Sequence, residues 1–212
     1  MEKANNNNPI ATIYSDNRAI EEEYPIGEFY RNLLAFSDLI ICPSRKLAKA
    51  VQLHTRTSKI IVIEDPWQIR SEMDFKSINN QRSINIIWFG QATNFKYFMS
   101  IFPEMLTIKS KSNGVKIELT ILTDPGGLAQ LNKLDANSLP TSWSLRMVEW
   151  KKSDQPKQLE DELARAHIAL IPSDPNDPRK NGVSHNRLID CLRAGCIPIA
   201  SPLDSYKELD SS

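Results

Sequence analysis

One stretch, residues 168–200, constrains the fold more than any other part of the chain. The apolar run Ile168–Pro172 predicts a buried strand, and a polar loop over residues 173–183 follows it. An amphipathic helix then ends at Gly195, and the apolar run Cys196–Ala200 predicts the next strand. The short turn after the helix and the long loop before it predict a parallel β-loop-α-β unit, which places any ligand site at the long loop.

Strand and helix patterns alternate in the same way from residue 84 to residue 210. Right-handed crossovers wind such a series into a Rossmann-like parallel α/β sheet with helices on both faces, and a partial second α/β domain is predicted before it. The polar, aperiodic stretch before residue 84 predicts a linker. The predicted division is a disordered lead-in over residues 1–9, a partial N-terminal α/β domain over 10–66, a linker over 67–83, and a Rossmann-like domain over 84–212 that is truncated at its C-terminal end.

Composition narrows the class of partner. Lys and Arg together number 26, as do Asp and Glu, so no net charge favours nucleic acid or an anionic membrane. Three cysteines without close pairing indicate reduced thiols and a cytoplasmic protein, and no metal-ligand spacing links them to the histidines. No signal peptide and no transmembrane segment is expected.

Polar side chains at strand ends and helix starts are the candidate site residues. Arg187 is predicted in the first turn of a helix, where a cation opposes the helix dipole unless an anion lies nearby. Asp190, three residues further on, could instead pair with Arg187 on the helix surface. Lys96 begins another helix and is either a phosphate ligand or a solvated lysine. The candidate set is Gly90, Lys96, Ser173, Ser184, Asn186, Arg187 and Asp190.

Three other positions carry open alternatives. Asp124, Gly126 and Gly127 are predicted to lie in a loop at a strand end that borders the same crevice. Trp150 follows another predicted strand and either packs at the rim or stacks on a base. His185 has no identifiable base or nucleophile to work with. No GxGxxG, Walker, HExxH or Ser-His-Asp pattern is present.

The run RLIDCLRAGCIPIAS resembles the helix-turn-strand motif of GT-B glycosyltransferases, which lies over a sugar-nucleotide donor. Gly195 and Pro198 fall on the motif's Gly and Pro, and Asp190 matches the acidic residue that binds the ribose. Ser184, Asn186 and Arg187 match the Ser-x-Asn-Arg run of a subgroup, whereas Gly182 stands where the family often has a Glu that contacts the sugar. The stretch SDLIICPSRKLAKAV resembles the close of the family's N-terminal domain.

This resemblance implies transfer of a sugar from a nucleoside-diphosphate sugar to an acceptor hydroxyl, without a metal or other cofactor. Gly90, Lys96 and Ser173 would line the donor pocket. The expected partners are a nucleotide sugar and a glycan or small-molecule acceptor, with self-association or a partner that supplies the missing part of the first domain as a further hypothesis. A non-catalytic nucleotide-sugar-binding module is the alternative, and a sugar-nucleotide isomerase is a third reading.

Overall fold

The computed structural model describes residues 11–13, 26–56, 59–65, 73–78, 81–107, 114–131, 139–151, 153, 156–177, 180 and 182–211. The chain forms two compact units. The first comprises residues 1–66, 174–185 and 202–212, and the second comprises residues 67–173 and 186–201. The predicted lead-in over residues 1–9 lies outside the described residues. The first unit is assembled from three stretches of chain, whereas the sequence predicts two continuous domains.

The described part of the first unit is a small parallel sheet with two helices. Its strands pair in the order β1-β2-β3. Ser44 caps the second helix, because its Oγ accepts the Leu47 N–H at 3.1 Å. Five buried side chains form the core: Leu34, Ile40, Cys42, Leu47 and Val51. The elements are β1 (Ala11–Ile13), α1 (Ile26–Ala35), β2 (Leu39–Cys42), α2 (Arg45–Gln52), β3 (Ile60–Val62) and a 3-10 turn (Tyr206–Ser211).

The second unit is a five-stranded parallel sheet, so the predicted α/β fold class is confirmed. Its strand order is β6-β5-β4-β7-β8, and every neighbouring pair is parallel. The elements are β4 (Ser83–Gly90), a 3-10 turn (Ala92–Asn94), α3 (Phe95–Thr107), β5 (Lys116–Thr123), α4 (Pro125–Leu131), β6 (Trp143–Glu149), α5 (Lys157–Arg165), β7 (Ile168–Ile171), α6 (Asn186–Arg193) and β8 (Ile197–Ala200).

The central strand β4 presents two aromatic residues to opposite faces of the sheet, because successive side chains on a strand alternate. Trp88 is fully buried, with ring centroids 5.6 Å from Phe95 and 5.5 Å from Phe98 of α3. Phe89 points to the other face, where it contacts Arg187 of α6. The Trp88 face carries the aromatic core, and the Phe89 face leads to the candidate site.

The predicted loop after β5 is wrong at Gly126 and Gly127, which lie inside the short helix α4. Pro125 opens that helix, a position where its missing N–H leaves no bond unmade. Asp124 caps it, since its Oδ1 accepts the Gly127 N–H at 2.9 Å. A Cβ on Gly127 would lie 2.1 Å from Thr123 Oγ1, so the missing side chain lets α4 begin directly against the strand end.

The predicted linker, residues 67–83, belongs to the second unit, and part of it is hydrogen-bonded to the turn that ends α6. The Met73 N–H donates to the Arg193 carbonyl at 2.8 Å, and the Lys76 N–H donates to the Gly195 carbonyl at 3.1 Å. Gly195 has φ +69°, and a Cβ there would lie 2.3 Å from the Asp74 carbonyl oxygen. A glycine is therefore required both by the left-handed turn that ends α6 and by the backbone that crosses it.

The Lys76 ammonium forms further hydrogen bonds beside the turn that ends α6. Its Nζ donates to the carbonyls of Leu163, Ala166 and Ala194 at 2.9, 2.9 and 2.6 Å. These carbonyls lie at the C-terminal ends of α5 and α6, where a cation also complements the helix dipoles. One lysine thus joins the ends of two helices.

Candidate functional site

Hydrogen bonds from side chains and backbone groups join the carboxyl ends of β4, β5 and β6. Thr123 Oγ1 donates to the Gly90 carbonyl at 2.7 Å, and the Trp150 N–H donates to the Thr123 carbonyl at 2.7 Å. Asp124 Oδ2 accepts the Ala92 N–H at 2.9 Å, which fixes the turn after β4 on the turn after β5. The three strand ends are therefore hydrogen-bonded to one another, and the first turns of α3 and α6 begin beside them.

Arg187 lies in the first turn of α6 and contacts the end of β4 in two ways. Its Nη2 donates to the Phe89 carbonyl, and its guanidinium carbon lies 4.9 Å from the centroid of the Phe89 ring. Its Nε is buried and has no hydrogen-bond partner among the described residues. A cation in a first turn opposes the helix dipole, so this arginine combines an unfavourable position with an unused donor.

Gly90 keeps space beside that guanidinium. A Cβ at position 90 would lie 3.3 Å from the Trp88 ring and 3.7 Å from Arg187 Nη2. A larger residue would therefore press on both neighbours. Gly90 and Arg187 lie close together, which is the arrangement expected if both residues line one site.

Asp190 lies one turn further along α6 and is only 3% exposed. Burial raises the pKa of the neighbouring Cys191 thiol, and among the charged side chains near that thiol Arg187 opposes the rise while Asp190 adds to it. At 3% exposure, Asp190 is buried on the helix that also carries Arg187. Its contact with a ribose stays a prediction.

The remaining candidate residues fall into different settings. Lys96 is exposed in the first turn of α3, with its Nζ 4.8 Å from the Tyr97 ring centroid. The Ser173 N–H donates to Ser201 Oγ at 2.9 Å, and Ser201 Oγ donates back to the Ser173 carbonyl at 2.8 Å, joining the ends of β7 and β8. Asn186 Oδ1 accepts the Arg187 N–H at 3.1 Å.

Ser184 and His185 belong to the first unit, although they directly precede α6. The helix begins at Asn186, so Ser184 lies two positions before it. His185 is 2% exposed, and its Nε2 lies 3.2 Å from Glu64 Oε2, close enough for an ion pair but without hydrogen-bond geometry. The sequence reading found no carboxylate for His185, because the end of β3 is distant along the chain.

Trp150 carries a feature that sequence reasoning missed. Its indole Nε1 is buried without a hydrogen-bond partner among the described residues, and its ring centroid lies 6.4 Å from that of Phe89. The position after a predicted strand was the available signal. Whether the indole N–H has a hydrogen-bond partner depends on packing against residues that are distant in the sequence.

The described residues contain neither a metal-binding cluster nor a membrane-spanning helix. No three His, Cys, Asp or Glu residues there are grouped so as to hold a metal ion. Among the helices within those ranges, none has the length and apolar content needed to cross a bilayer.

Comparison with known proteins identifies the fold. No protein-family model matches the sequence, and neither does any curated protein. The solved structure of OtsA in its apo form aligns with a TM-score of 0.57 and 13% identity, over 97% of this chain and 59% of that chain. A crystal structure of TarM aligns with a TM-score of 0.50 and 11% identity, over 90% of this chain and 46% of that chain.

This chain has the GT-B fold, which it shares with the structures of OtsA and TarM. It spans about three fifths of the OtsA chain and less than half of the TarM chain. The resemblance to GT-B glycosyltransferases that the sequence motifs indicate is therefore confirmed at the level of the fold. At these identities the likeness establishes the fold alone.

Proposed function

We propose that the second unit binds the donor of a glycosyl transfer: a nucleoside-diphosphate sugar whose sugar passes to an acceptor hydroxyl. The observation that carries the proposal is Arg187, a cation in the first turn of α6 with a buried, unused Nε donor beside the end of β4. Helix N-termini at the carboxyl edge of a parallel sheet favour anions. A diphosphate supplies both the acceptor that Nε lacks and the negative charge that this position needs.

The other candidate residues take roles that fit this ligand. Lys96 at the start of α3 neutralises phosphate charge, and Gly90 lets the phosphates approach the end of β4. Asp190 binds the ribose hydroxyls, and Ser173 and Asn186 complete the part of the donor pocket that the second unit supplies. As the bond between the sugar and the diphosphate breaks, the sugar gains oxocarbenium character and the leaving group gains charge. Lys96 and Arg187 stabilise that charge in the transition state.

The absence of disulfide bonds between the three cysteines, which are all described, supports a cytoplasmic location. Cys42, Cys191 and Cys196 are all free and buried. Burial raises the pKa of Cys42 to about 11, which keeps its thiol protonated and unreactive at neutral pH. Three protected thiols suit a reducing compartment, and we propose that the protein acts there.

One observation favours a second candidate, a nucleotide-sugar-binding module without transfer activity. Gly182 stands where related motifs carry a Glu that contacts the donor sugar, and a glycine offers no side chain for that contact. Such a module would hold the nucleotide through Arg187 and Lys96 but would not position the sugar for reaction.

A thermal-shift screen tests the proposal, because a ligand that binds only the folded state raises the melting temperature with its concentration. We expect one of UDP, GDP, ADP or CDP, with its sugar conjugate, to raise the melting temperature of the wild-type chain. Arg187→Gln and Asp190→Asn should abolish the rise. Arg165→Gln is the matched control, since that arginine is 66% exposed at the end of α5 and should leave the rise intact.

A screen without any rise would contradict the nucleotide site. A rise that survives Arg187→Gln would contradict its placement. Once a donor is known, release of free diphosphate on addition of hydroxyl acceptors separates a transferase from a module that only binds.

A further inference from the structure

The chain passes between the two units on both sides of the stretch that contains α6 and β8. It leaves the second unit after Ser173, returns to it at Asn186 and leaves it again after Ser201. The two exits are joined, because Ser201 Oγ accepts the Ser173 N–H at 2.9 Å and donates to the Ser173 carbonyl at 2.8 Å. The stretch 186–201, which carries the candidate residues of α6, is therefore continuous at both ends with segments of the first unit.

Both flanking segments are hydrogen-bonded to the start of α2. In the segment that leads into α6, the Gly182 carbonyl accepts a hydrogen bond from Ser44 Oγ at 2.9 Å. In the segment that follows β8, the Glu208 carboxylate accepts the N–H groups of Arg45 and Lys46 at 2.9 and 2.8 Å. One helix end thus holds the segment before α6 and the segment after β8.

Capping of α2 explains only part of this arrangement. The first N–H groups of a helix lack partners inside the helix, and Ser44 Oγ accepts one of them, from Leu47, at 3.1 Å. A cap needs only an acceptor, whereas the same hydroxyl also donates to Gly182. The Glu208 carboxylate takes two further N–H groups, where the helix dipole favours an anion. The start of α2 therefore binds two segments that are distant from it in the sequence.

Charged groups and burial strengthen the attachment of the segment after β8. Asp204 accepts hydrogen bonds from Lys46 Nζ at 2.9 Å and from Lys207 Nζ at 3.0 Å, and these bonds lower the pKa of Asp204. Its neighbours Leu203 and Ser205 are 1% and 0% exposed. The segment is therefore held by buried side chains as well as by charged hydrogen bonds.

We propose that the start of α2 positions α6 for nucleotide binding, and that Ser44 and Glu208 are positioning residues that act without contact with the nucleotide. This inference rests on the proposed nucleotide site. Arg187 lies in the first turn of α6, a few residues after the Ser44 contact, so its placement depends on the chain that enters the helix. A binding group must be held within about 0.5 Å of its productive position, so loss of either attachment weakens binding.

Two variants remove one attachment each. Ser44→Gly removes the hydroxyl, and because glycine is a tolerated helix cap, the melting temperature should stay close to that of the wild type. Glu208→Gln keeps the shape of the side chain, but its amide nitrogen cannot accept the second N–H. Ser37→Gly is the matched control. It removes another buried serine hydroxyl of the first unit, one that donates to the nearby Leu33 carbonyl at 2.8 Å and not to a segment that flanks α6.

Hydrogen exchange and calorimetric titration give two independent readouts. By mass spectrometry, the amides of α6 should exchange faster in Ser44→Gly and Glu208→Gln than in the wild type, and at the wild-type rate in Ser37→Gly. The titrations use UDP, GDP, ADP and CDP. For the diphosphate that binds the wild type, we expect the Kd to rise about fivefold in the first two variants, the effect of one lost hydrogen bond. Ser37→Gly should leave that Kd unchanged.

The outcomes separate this inference from the proposed function. Unchanged exchange of α6 in both variants, or an unchanged Kd despite faster exchange, overturns the positioning role and leaves the nucleotide site standing. Equal changes in Ser37→Gly overturn it as well, because they would reflect the loss of any buried hydroxyl in the first unit. A wild-type chain that binds none of the four diphosphates overturns the proposed function, and with it the role in nucleotide binding.

Discussion

The Arg187 guanidinium packs on the Phe89 ring and donates to the Phe89 carbonyl, so part of this side chain holds α6 against β4. Such contacts alone would describe a structural arginine. The buried Nε without a partner among the described residues is the part that packing does not explain. A charge-assisted donor left unused costs about 1–3 kcal/mol, which a bound anion would recover.

Gly127 shows how closely the site's support is packed at the scale of one residue. Gly127→Ala would place a methyl group 2.1 Å from Thr123 Oγ1, and Thr123 is fully buried while it donates to the Gly90 carbonyl. We expect a loss of about 2–3 kcal/mol in the free energy of unfolding, the upper range for overpacking. Urea titration followed by circular dichroism measures it.

Gly126→Ala is the control, because Gly126 is exposed in the same helix and its nearest atoms would be 3.2 Å away. Its effect should stay within about 0.5 kcal/mol. Equal losses in the two variants would mean that glycine matters to α4 through backbone conformation and not through contact with Thr123.

At the scale of secondary-structure elements, Lys76 connects helices that the chain separates. It lies in a segment without helix or strand, yet it donates to carbonyls at the ends of α5 and α6. Its charge also adds to the effect of burial in lowering the pKa of His167, whose Nδ1 accepts the Asn85 N–H at 3.0 Å. One cation, the Lys76 ammonium, thus interacts with both helix ends and with His167 at the amino edge of the sheet.

Lys76→Met tests that organisation. The thioether cannot donate, so three helix-end carbonyls lose their partner, and hydrogen bonds from charged groups contribute about 1.5–3 kcal/mol. We expect the free energy of unfolding to fall by about 2–3 kcal/mol. Lys207→Met removes a lysine that is 61% exposed and pairs with Asp204, and it should change stability by less than about 0.5 kcal/mol. Similar small losses in both variants would contradict the role of Lys76.

The sequence predicted these elements where a local pattern was sufficient. The apolar runs that became β4, β7 and β8, and the glycine that ends α6, are local signals. The start of helix α4 was misplaced because Pro125 and two glycines favour a loop in isolation, whereas the Asp124 cap and the space beside Thr123 make a helix possible. Lys76 was read as part of a polar linker, since nothing local shows which carbonyls it reaches.

The candidate site was predictable in outline and not in detail. The helix start at Arg187 and the strand end at Gly90 followed from spacing, and the structure brings them together. The contact between Arg187 and Phe89 and the orphaned indole of Trp150 arise from strands far apart in sequence. Such contacts depend on strand order, which the one-dimensional pattern leaves open.

At the scale of the whole molecule, the strand edges bear on the hypothesis of self-association. β8 is the outer strand next to β7, and Ile197 and Ile199 are 37% and 56% exposed. The Ile197 N–H donates to the His167 carbonyl just before β7, and the Ser201 N–H donates to the Ile171 carbonyl at its end. Pro198 therefore occupies an outward-facing position and has no N–H to offer. A proline there opposes pairing with a further strand, as is common at sheet edges.

For the molecule as a whole, we propose that the carboxyl edge of the second sheet binds a nucleoside diphosphate. The most direct measurement is a calorimetric titration of UDP, GDP, ADP and CDP into the wild-type chain, Lys96→Gln and Lys116→Gln. Both lysines are exposed, but Lys96 begins α3 at the carboxyl edge, whereas Lys116 begins β5 at the amino edge.

We expect one diphosphate to bind the wild type with one-to-one stoichiometry and Lys116→Gln to bind it equally well. Lys96→Gln should bind it several-fold more weakly, by about 1 kcal/mol, with an unchanged melting temperature because a lysine in a first turn adds no stability to the free chain. Absence of binding by every diphosphate, or equal weakening by both variants, would contradict the claim.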